Sequence, residues 1–410
     1  MSVLAAALLA APGPAGAAAP TGAPACPLFP SDDVWHADVS ALPVHARSGA
    51  WLAAMGGPDR RLHPDFGPSG DTQPYGIPYT VVHSGHERVS VSFDYADESD
   101  PGPYPFGPDI GVESGSDRHA LMLDADSCTL YELYAAQYSP SGSTAGSGAV
   151  WNLRSHALRP AGWTSADAAG LPILPGLLRR DEVAAGTVDH AIRMTAQRTD
   201  RSYLWPARHQ AGAASDPSLP PMGARFRLRP SFDVTHFRPA TQVVLRAMQR
   251  YGMILADNGS NWFFAGTAED GWDPAMLDEL KTVPAGAFDA IDESSLMVDA
   301  SSGRVRGGAT PPPVTTRPTV ARAPVRPPTA PSTPTPVAVP GTTIGAAPPA
   351  TTTTAGAAEV AGGPKPRPGP TPGTGTTRDP WWPAAAGVAA WAAAATATAT
   401  RVRRGRPLQV

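Results

Sequence analysis

Residues 301–380 contain no phenylalanine, tryptophan, tyrosine, leucine, methionine or cysteine, although they make up about a fifth of the 410-residue chain. Proline and threonine dominate instead, in runs such as PPPVTTRPTV and RPPTAPSTPTPVAVP. Such a segment has too little apolar surface to offset the entropy lost on ordering it. The sequence therefore predicts a disordered Pro/Thr-rich stalk over 301–380, and it confines the folded part to residues 26–300.

Apolar stretches near the two ends of the chain predict export and anchoring. Val3–Ala11 is too short to span a bilayer, and the small residues at 15–17 suit a signal peptidase, which predicts a signal peptide over 1–19. The alanine-rich segment 381–400 begins with two tryptophans and is followed by the arginine-rich tail 401–410. This pattern predicts a C-terminal transmembrane anchor with a basic cytoplasmic tail, and the alternative is a tail that never inserts. The expected location is extracellular, at the cell surface.

Charge and missing motifs exclude several function classes at the level of sequence. The formal net charge of −4 gives no bulk electrostatic reason to expect nucleic acid as a partner. The sequence contains no G-x-x-x-x-G-K-[ST], so we expect no nucleotide, and it contains neither H-E-x-x-H nor G-x-S-x-G. No cofactor is expected, apart from the calcium alternative described below.

The cysteine count fits an exported protein. Cys26 and Cys128 are the only two cysteines of the chain. In an oxidising compartment an even pair usually closes, which predicts a Cys26–Cys128 disulfide, and two independent buried thiols are the alternative.

The folded part reads as mainly β. Alternating or β-favouring stretches occur at 89–95, 190–195, 202–207 and 224–229, and Asn258-Gly259 predicts a two-residue hairpin turn that pairs Leu255 with Trp262 and Met253 with Phe264. Helical periodicity is convincing only at 241–251 and 273–281. The expected fold is an antiparallel sandwich or jelly-roll with a few helices, and two packed subdomains are an alternative.

Several motifs also resemble a known family. The run LRPAGWTSADAAGLPILPGLLRRDEVAAG, together with DRHALMLD, LYELY and RYGMILADNGSNWF, is similar to an uncharacterised family of secreted bacterial proteins of actinobacterial type. The likeness covers most of residues 30–300. No activity is established for that family, so the resemblance implies secretion and transfers no catalytic residue.

The stretch SDRHALMLDADSCTLYELY, at 116–134, predicts a hairpin that carries ionisable residues. A turn at Asp124–Ser127 places His119 directly opposite Glu132, on the face that also carries Leu121, Leu123, Cys128 and Leu130. A carboxyl group beside apolar surface with an imidazole partner suits acid–base catalysis. The alternative is an ion pair that caps the core face.

The acidic stretch 93–109 supplies the third catalytic candidate, Asp97. Carboxylates cluster there at Asp94, Asp97, Glu98 and Asp100, and such a cluster can bind Ca²⁺ or provide acid–base groups for glycosidic cleavage. EF-hand spacing is absent, no other metal site is expected, and a solvated acidic loop is the alternative.

Aromatic and basic residues supply the ligand-binding candidates. Tyr104 is expected to form a sugar-stacking wall with Tyr95 and Phe106 around these carboxylates, and Trp205, Arg208 and His209 form a group suited to an anionic sugar or phosphate. A buried tryptophan with surface arginine and histidine is the alternative. Together these features predict an extracellular, membrane-anchored domain that engages cell-envelope or environmental polysaccharide. Cleavage by a hydrolase or lyase reaction is one version of this function, and a non-catalytic adhesion or structural module is the rival.

Overall fold

The computed structural model describes residues 19–68 and 74–307, which form a sheet-rich fold with few helices. The strands of this part of the chain are β1 (His63–Pro64), β2 (Tyr79–Val82), β3 (Val91–Phe93), β4 (Ala120–Asp124), β5 (Thr129–Tyr134), β6 (Ser143–Ala145), β7 (Ser147–Asn152), β8 (Ile192–Ala196), β9 (Arg225–Leu228), β10 (Met253–Asn258), β11 (Phe263–Phe264) and β12 (Phe288–Ile291). The α-helices are α1 (Ser48–Ala54), α2 (Arg180–Ala185), α3 (Pro239–Arg250) and α4 (Pro274–Leu280).

The larger sheet is mixed, with the strand order β1-β11-β8-β10-β9-β12. β8 runs parallel to β10 and β1 runs parallel to β11, whereas the other neighbours are antiparallel. Because β8 and β10 are parallel, their carboxyl ends lie at the same edge of the sheet. The candidate site described below uses Arg193, near the start of β8, and Asp257, near the end of β10.

A second sheet, ordered β2-β4-β5-β7, lies between two apolar cores. Leu121 and Leu123 of β4 belong to the larger core, whereas Ala120 and Met122 belong to the smaller one. Since successive side chains of a strand point to opposite faces, β4 is apolar along nearly its whole length. The parallel pair β3–β6 also contributes to the smaller core.

Both predicted helices are confirmed. The apolar residues Val244, Leu245 and Met248 of α3 are fully buried, as the helical spacing predicts. α4 begins after Asp273, whose side chain accepts a hydrogen bond from the Ala275 N–H, and Pro274 takes the first helical position, where no N–H is needed.

The predicted disulfide is confirmed. Cys26 and Cys128 are bonded, with their Cα atoms 5.2 Å apart. Both residues are buried in the larger core. The bond joins the N-terminal segment to the turn between β4 and β5.

The hairpin predicted around Asn258-Gly259 is wrong. β10 and β11 flank β8 in the sheet and do not pair with each other. The connecting loop crosses the end of β8, where the Gly259 N–H donates to Ala196 O and the Thr195 hydroxyl donates to Ser260 O. The sequence around this turn does not reveal that β8, which is distant in the chain, lies between β10 and β11.

The remaining strand predictions give a mixed result. The stretches 190–195 and 224–229 contain β8 and β9, and 89–95 contains β3. The stretch 202–207 is not a strand, and its ladder pairing is a single bridge between Tyr203 and Met222. Four strand pairs are parallel, so the sheets are not purely antiparallel and a jelly-roll is not confirmed.

The folded body extends beyond 26–300 at both ends. Thr21 donates to Asp181, and at the other end Ser302 and Arg304 form bridges with Ala157 and Asp33. Residues 301–306, at the start of the predicted stalk, therefore make backbone contacts with the folded body. The rest of the stalk, the signal peptide and the anchor lie outside the described residues, except for residue 19. Within the described ranges, no helix combines the length and the apolar character needed to span a membrane.

Candidate functional site

The β4–β5 hairpin forms in a different register from the one predicted. Leu121 lies opposite Glu132 and Leu123 lies opposite Leu130, so the predicted opposition of His119 and Glu132 is wrong. The Asp124 carboxylate explains the change, because it accepts hydrogen bonds from the Asp126 and Ser127 N–H groups and ends β4 at Asp124. The pairing has moved by two residues, an even number, so the predicted facing of the apolar residues is retained.

His119 pairs with Glu113 at the start of this hairpin. Its Nδ1 lies 2.5 Å from Glu113 Oε2, and its Nε2 lies 3.2 Å from the carbonyl oxygen of Ala166. Burial opposes the charged imidazolium, but the hydrogen bond and negative charge of Glu113 outweigh it and raise the pKa of His119. In Glu113, burial favours the neutral form, yet the hydrogen bond from His119 lowers the pKa overall. The pairing therefore favours the imidazolium form of His119 and the ionised form of Glu113.

A buried arginine lies next to this pair. Arg193, in β8, donates from Nε and Nη2 to the two oxygens of Asp167 at 2.7 and 2.8 Å, and its Nη2 also donates to Asp257 at 3.0 Å. Asp257 lies near the end of the neighbouring β10, and Asp167 lies in a loop held against β10 by the hydrogen bond from the Ala169 N–H to Ala256 O. The bidentate contact fixes the guanidinium in one orientation.

Asp65 completes the group, and it accepts a hydrogen bond from the Tyr75 hydroxyl. Burial raises the pKa of Asp65, and the charges of Arg193 and Glu113 also act on it. We call these six residues the Arg193 cluster; they are Asp65, Glu113, His119, Asp167, Arg193 and Asp257. Four carboxyl groups thus surround two cations, so the like charges repel each other and favour protonation of the least compensated acids.

The excess of carboxyl groups over cations in the cluster affects the pKa of Asp257. Burial and the negative charge of Asp167 raise its pKa to about 7, although Arg193 acts in the opposite direction. The side chains of Asp257 and Glu113 are 22% and 19% exposed, whereas Asp167 is fully buried. The accessible edge therefore combines an ionised carboxylate with a carboxyl group that titrates near neutral pH. Opposed pKa values of this kind are typical of acid–base pairs.

Glu132 lies inside the core and outside this cluster. Its carboxylate accepts hydrogen bonds from the Ile173 and Leu174 N–H groups and from Trp151 Nε1, and its side chain is fully buried. Burial raises its pKa to about 7 despite these donors. The structure does not bring Glu132 to a surface that a substrate could reach, so it serves here to hold β5 against the 173–174 segment.

The acidic stretch 93–109 is dispersed by its contacts. Asp100 pairs with Arg159 at 2.5 Å, Glu98 accepts the Thr164 N–H, and Asp97 is exposed. Of the four proposed calcium ligands, Asp94 and Asp97 are exposed, whereas Glu98 and Asp100 are half-buried. Throughout the described ranges, no group of three or more His, Cys, Asp or Glu side chains is arranged to hold a metal ion.

The predicted ligand-binding residues are mostly engaged in holding the fold together. Tyr104 is fully buried and donates to Asp100 O, so it offers no ring face to a ligand. Trp205 Nε1 donates to Ser302 O, and Arg208 donates to the Arg159 and Ala300 carbonyls. His209 lies 3.8 Å from Glu98 and is half-buried. Of the sequence candidates, only His119 belongs to the Arg193 cluster.

Sequence reasoning missed Asp65, Glu113, Asp167, Arg193 and Asp257. The available signal was Arg193 itself, an arginine within the apolar strand sequence HAIRMT. A charge in a buried strand needs carboxylate partners, but the sequence does not show which of the 36 acidic residues supply them.

Comparison of the chain with protein-family models, with curated proteins and with solved structures finds no match.

Proposed function

We propose that the described domain acts outside the cell on polysaccharide and cleaves glycosidic bonds at the Arg193 cluster. Asp257 serves as the general acid, and Glu113 is the ionised carboxylate of the same cluster. The observation that carries this proposal is that the cluster contains two partly exposed acids with opposite pKa shifts, because glycoside cleavage requires one protonated and one ionised carboxyl group at neutral pH. The predicted anchor at 381–400 would hold the domain at the cell surface.

Aromatic side chains near the cluster support a carbohydrate substrate. Tyr134 is half-buried, and the charge of Asp257 acts on its hydroxyl. Tyr95, which interacts with Tyr134, and Tyr75, which pairs with Asp65, are 41% and 46% exposed. Accessible tyrosine rings combine an apolar face with a polar edge, which suits the mixed surface of a sugar.

A non-catalytic surface module is the second candidate, and one observation favours it. Arg193 and Asp167 satisfy each other through two hydrogen bonds, as a purely structural ion pair does. In that case the cluster stabilises a binding domain and transfers no proton.

Product analysis on a panel of cell-wall and environmental polysaccharides separates the two candidates. We expect Asp257→Asn and Glu113→Gln each to lower the cleavage rate by about 10²–10⁴-fold, the usual contribution of an acid–base group. Asp97→Asn, which alters an exposed acid outside the cluster, is the matched control and should retain wild-type activity. Circular dichroism should show that all three variants are folded.

Three results would count against this assignment. Absence of cleavage with every polymer, while binding persists, favours the non-catalytic module. Equal activity of Asp257→Asn and wild type removes Asp257 as the acid. Loss of activity in Asp97→Asn alone would return the catalytic role to the acidic stretch 93–109.

A further inference from the structure

A cavity of about 250 Å³ adjoins the Arg193 cluster. Tyr75 links the two, because it lines the cavity and its hydroxyl donates to Asp65. The other side of the cavity is formed by α4, through Leu277, and by Lys281 directly after that helix. The cavity is thus connected to the cluster through the hydrogen bond between Tyr75 and Asp65.

The lining combines apolar surface with polar side chains, among them His63, Asp278 and Lys281. Phe66, Leu277 and three prolines provide the apolar surface. His63 stacks its ring on that of Phe263, with 3.9 Å between the ring centroids. Burial lowers the pKa of His63, so its imidazole is neutral and offers one donor and one acceptor. Lys281 supplies a positive charge.

Lys281 is already paired, but only weakly. Its Nζ lies 3.0 Å from Asp278 Oδ1, and the two side chains are 45% and 75% exposed. An ion pair this exposed contributes little to stability, so an incoming anion can compete with Asp278 for the ammonium group.

We infer that this cavity is a subsite for one acidic sugar residue of the polysaccharide, with the sugar carboxylate paired to Lys281 Nζ and the ring packed on the apolar lining. The inference rests on the proposed function, since that function supplies the polysaccharide. The volume lies below the range of roughly 300–1,000 Å³ that is typical of pockets for drug-sized ligands, which fits a single sugar unit. The substrate class is therefore a polymer that contains uronic acid or another carboxylate-bearing sugar.

Binding of glucuronate and glucose, which differ at C6 by a carboxylate in place of a hydroxymethyl group, tests the subsite without any turnover. Titrations of the full-length protein followed by NMR should show tighter binding of glucuronate. Lys281→Gln should weaken glucuronate binding by about fivefold, the upper end for an exposed ion pair, and leave glucose binding unchanged. Asp278→Asn removes the competing acid and should strengthen glucuronate binding. Both side chains are largely exposed, so the two variants should fold normally.

Glucuronate affinity that is highest in Asp278→Asn, intermediate in wild type and lowest in Lys281→Gln supports the subsite. Any other order, equal binding of the two sugars, or no binding of either overturns it. The proposed reaction fails separately, because its test measures cleavage in the Asp257→Asn variant and does not involve Lys281. A protein that binds glucuronate through Lys281 but cleaves no polymer retains the subsite and loses the hydrolase assignment.

Discussion

Arg193 enters the interior from a strand whose neighbouring side chains are apolar, and its charge there is compensated almost entirely by two carboxylates. Its side chain is 6% exposed, and that of Asp167, its bidentate partner, is fully buried. Breaking a buried ion pair by removing one partner leaves the other charge uncompensated, which costs more than the pair itself contributes. Asp167 therefore positions Arg193 for its contact with Asp257.

Replacing Asp167 with Asn should consequently destabilise the domain strongly. We expect Asp167→Asn to lower the free energy of unfolding by about 3 kcal/mol, because Arg193 keeps only Asp257 as a charged partner. Urea denaturation followed by tryptophan fluorescence measures the change. Asp97→Asn, at an exposed position, should stay within about 0.5 kcal/mol of wild type. A loss below about 1 kcal/mol for Asp167→Asn would show that Asp257 alone compensates Arg193.

Single residues also show how far the site could be predicted from sequence. His119 was identified because it sits in a short, strongly patterned hairpin where local spacing is informative. Its partner Glu113 lies only six residues away, but it precedes the strand, where alternation no longer applies. Asp65 and Asp257 reach the cluster from positions almost two hundred residues apart in the chain, so no local pattern connects them.

At the scale of secondary structure elements, side-chain facing was predictable and pairing was not. β4 and β5 keep the predicted apolar face, because a two-residue shift preserves alternation, but the turn depends on the Asp124 side chain and could not be inferred from apolar spacing. α3 and α4 were predicted well, since their signals are local. The partners of β10 depend on where β8 inserts, which is a property of the whole chain.

The disulfide connects two elements, because it joins the N-terminal segment to the β4–β5 turn across a sequence separation of 102 residues. Closing a loop of this length restricts the unfolded chain, and the chain-entropy model assigns it about 5 kcal/mol. The double variant Cys26→Ala/Cys128→Ala should therefore lose up to about 5 kcal/mol of unfolding free energy in urea denaturation.

Reduced wild-type protein is the matched control for that variant, because it retains both buried sulfur atoms. Reduced wild type and the double variant should be destabilised to a similar extent if the cross-link dominates. A large loss in the double variant with none in the reduced protein would instead assign the effect to the packing of the two side chains.

At the scale of the whole molecule, buried charges join segments that are distant in sequence. Arg225 of β9 is fully buried and donates to Glu293 at 3.0 Å and to Val34 O. Asp33 is buried beside them, and the charge of Arg225 acts on it. The N-terminal segment, the large sheet and the chain beyond β12 thus meet around one arginine, which extends the fold past the boundary that composition suggested.

Several acids in these buried positions titrate near neutral pH. Burial, the largest contribution in each case, raises the pKa of Asp33 to about 8 and those of Glu132, Asp257 and Glu293 to about 7. Oε1 of Glu293 is buried without a hydrogen-bond partner among the described residues, a position that disfavours the ionised form. Each of these carboxyl groups has an ordinary pKa near 4 in the unfolded chain.

The domain should therefore become less stable as the pH rises from about 5 to about 8. Between the unfolded and folded pKa values the folded state binds protons that the unfolded state has released, and its stability falls with rising pH throughout that window. His119, whose folded pKa is raised, adds to this trend, because its contribution is fully present below about pH 6.5 and is lost as the pH rises through the folded pKa. Glu113 has a lowered pKa, and its contribution is lost only as the pH falls below about 4.5, outside this range.

Thermal unfolding at pH 5.5 and 8.0 should give the higher midpoint at pH 5.5. Glu293→Gln removes one titrating group and should reduce the difference between the two midpoints, whereas Asp278→Asn, at an exposed position, should leave it unchanged. A midpoint that rises from pH 5.5 to pH 8.0 would mean that these carboxyl groups are ionised in the folded protein, and it would remove the basis for Asp257 as a neutral-pH acid.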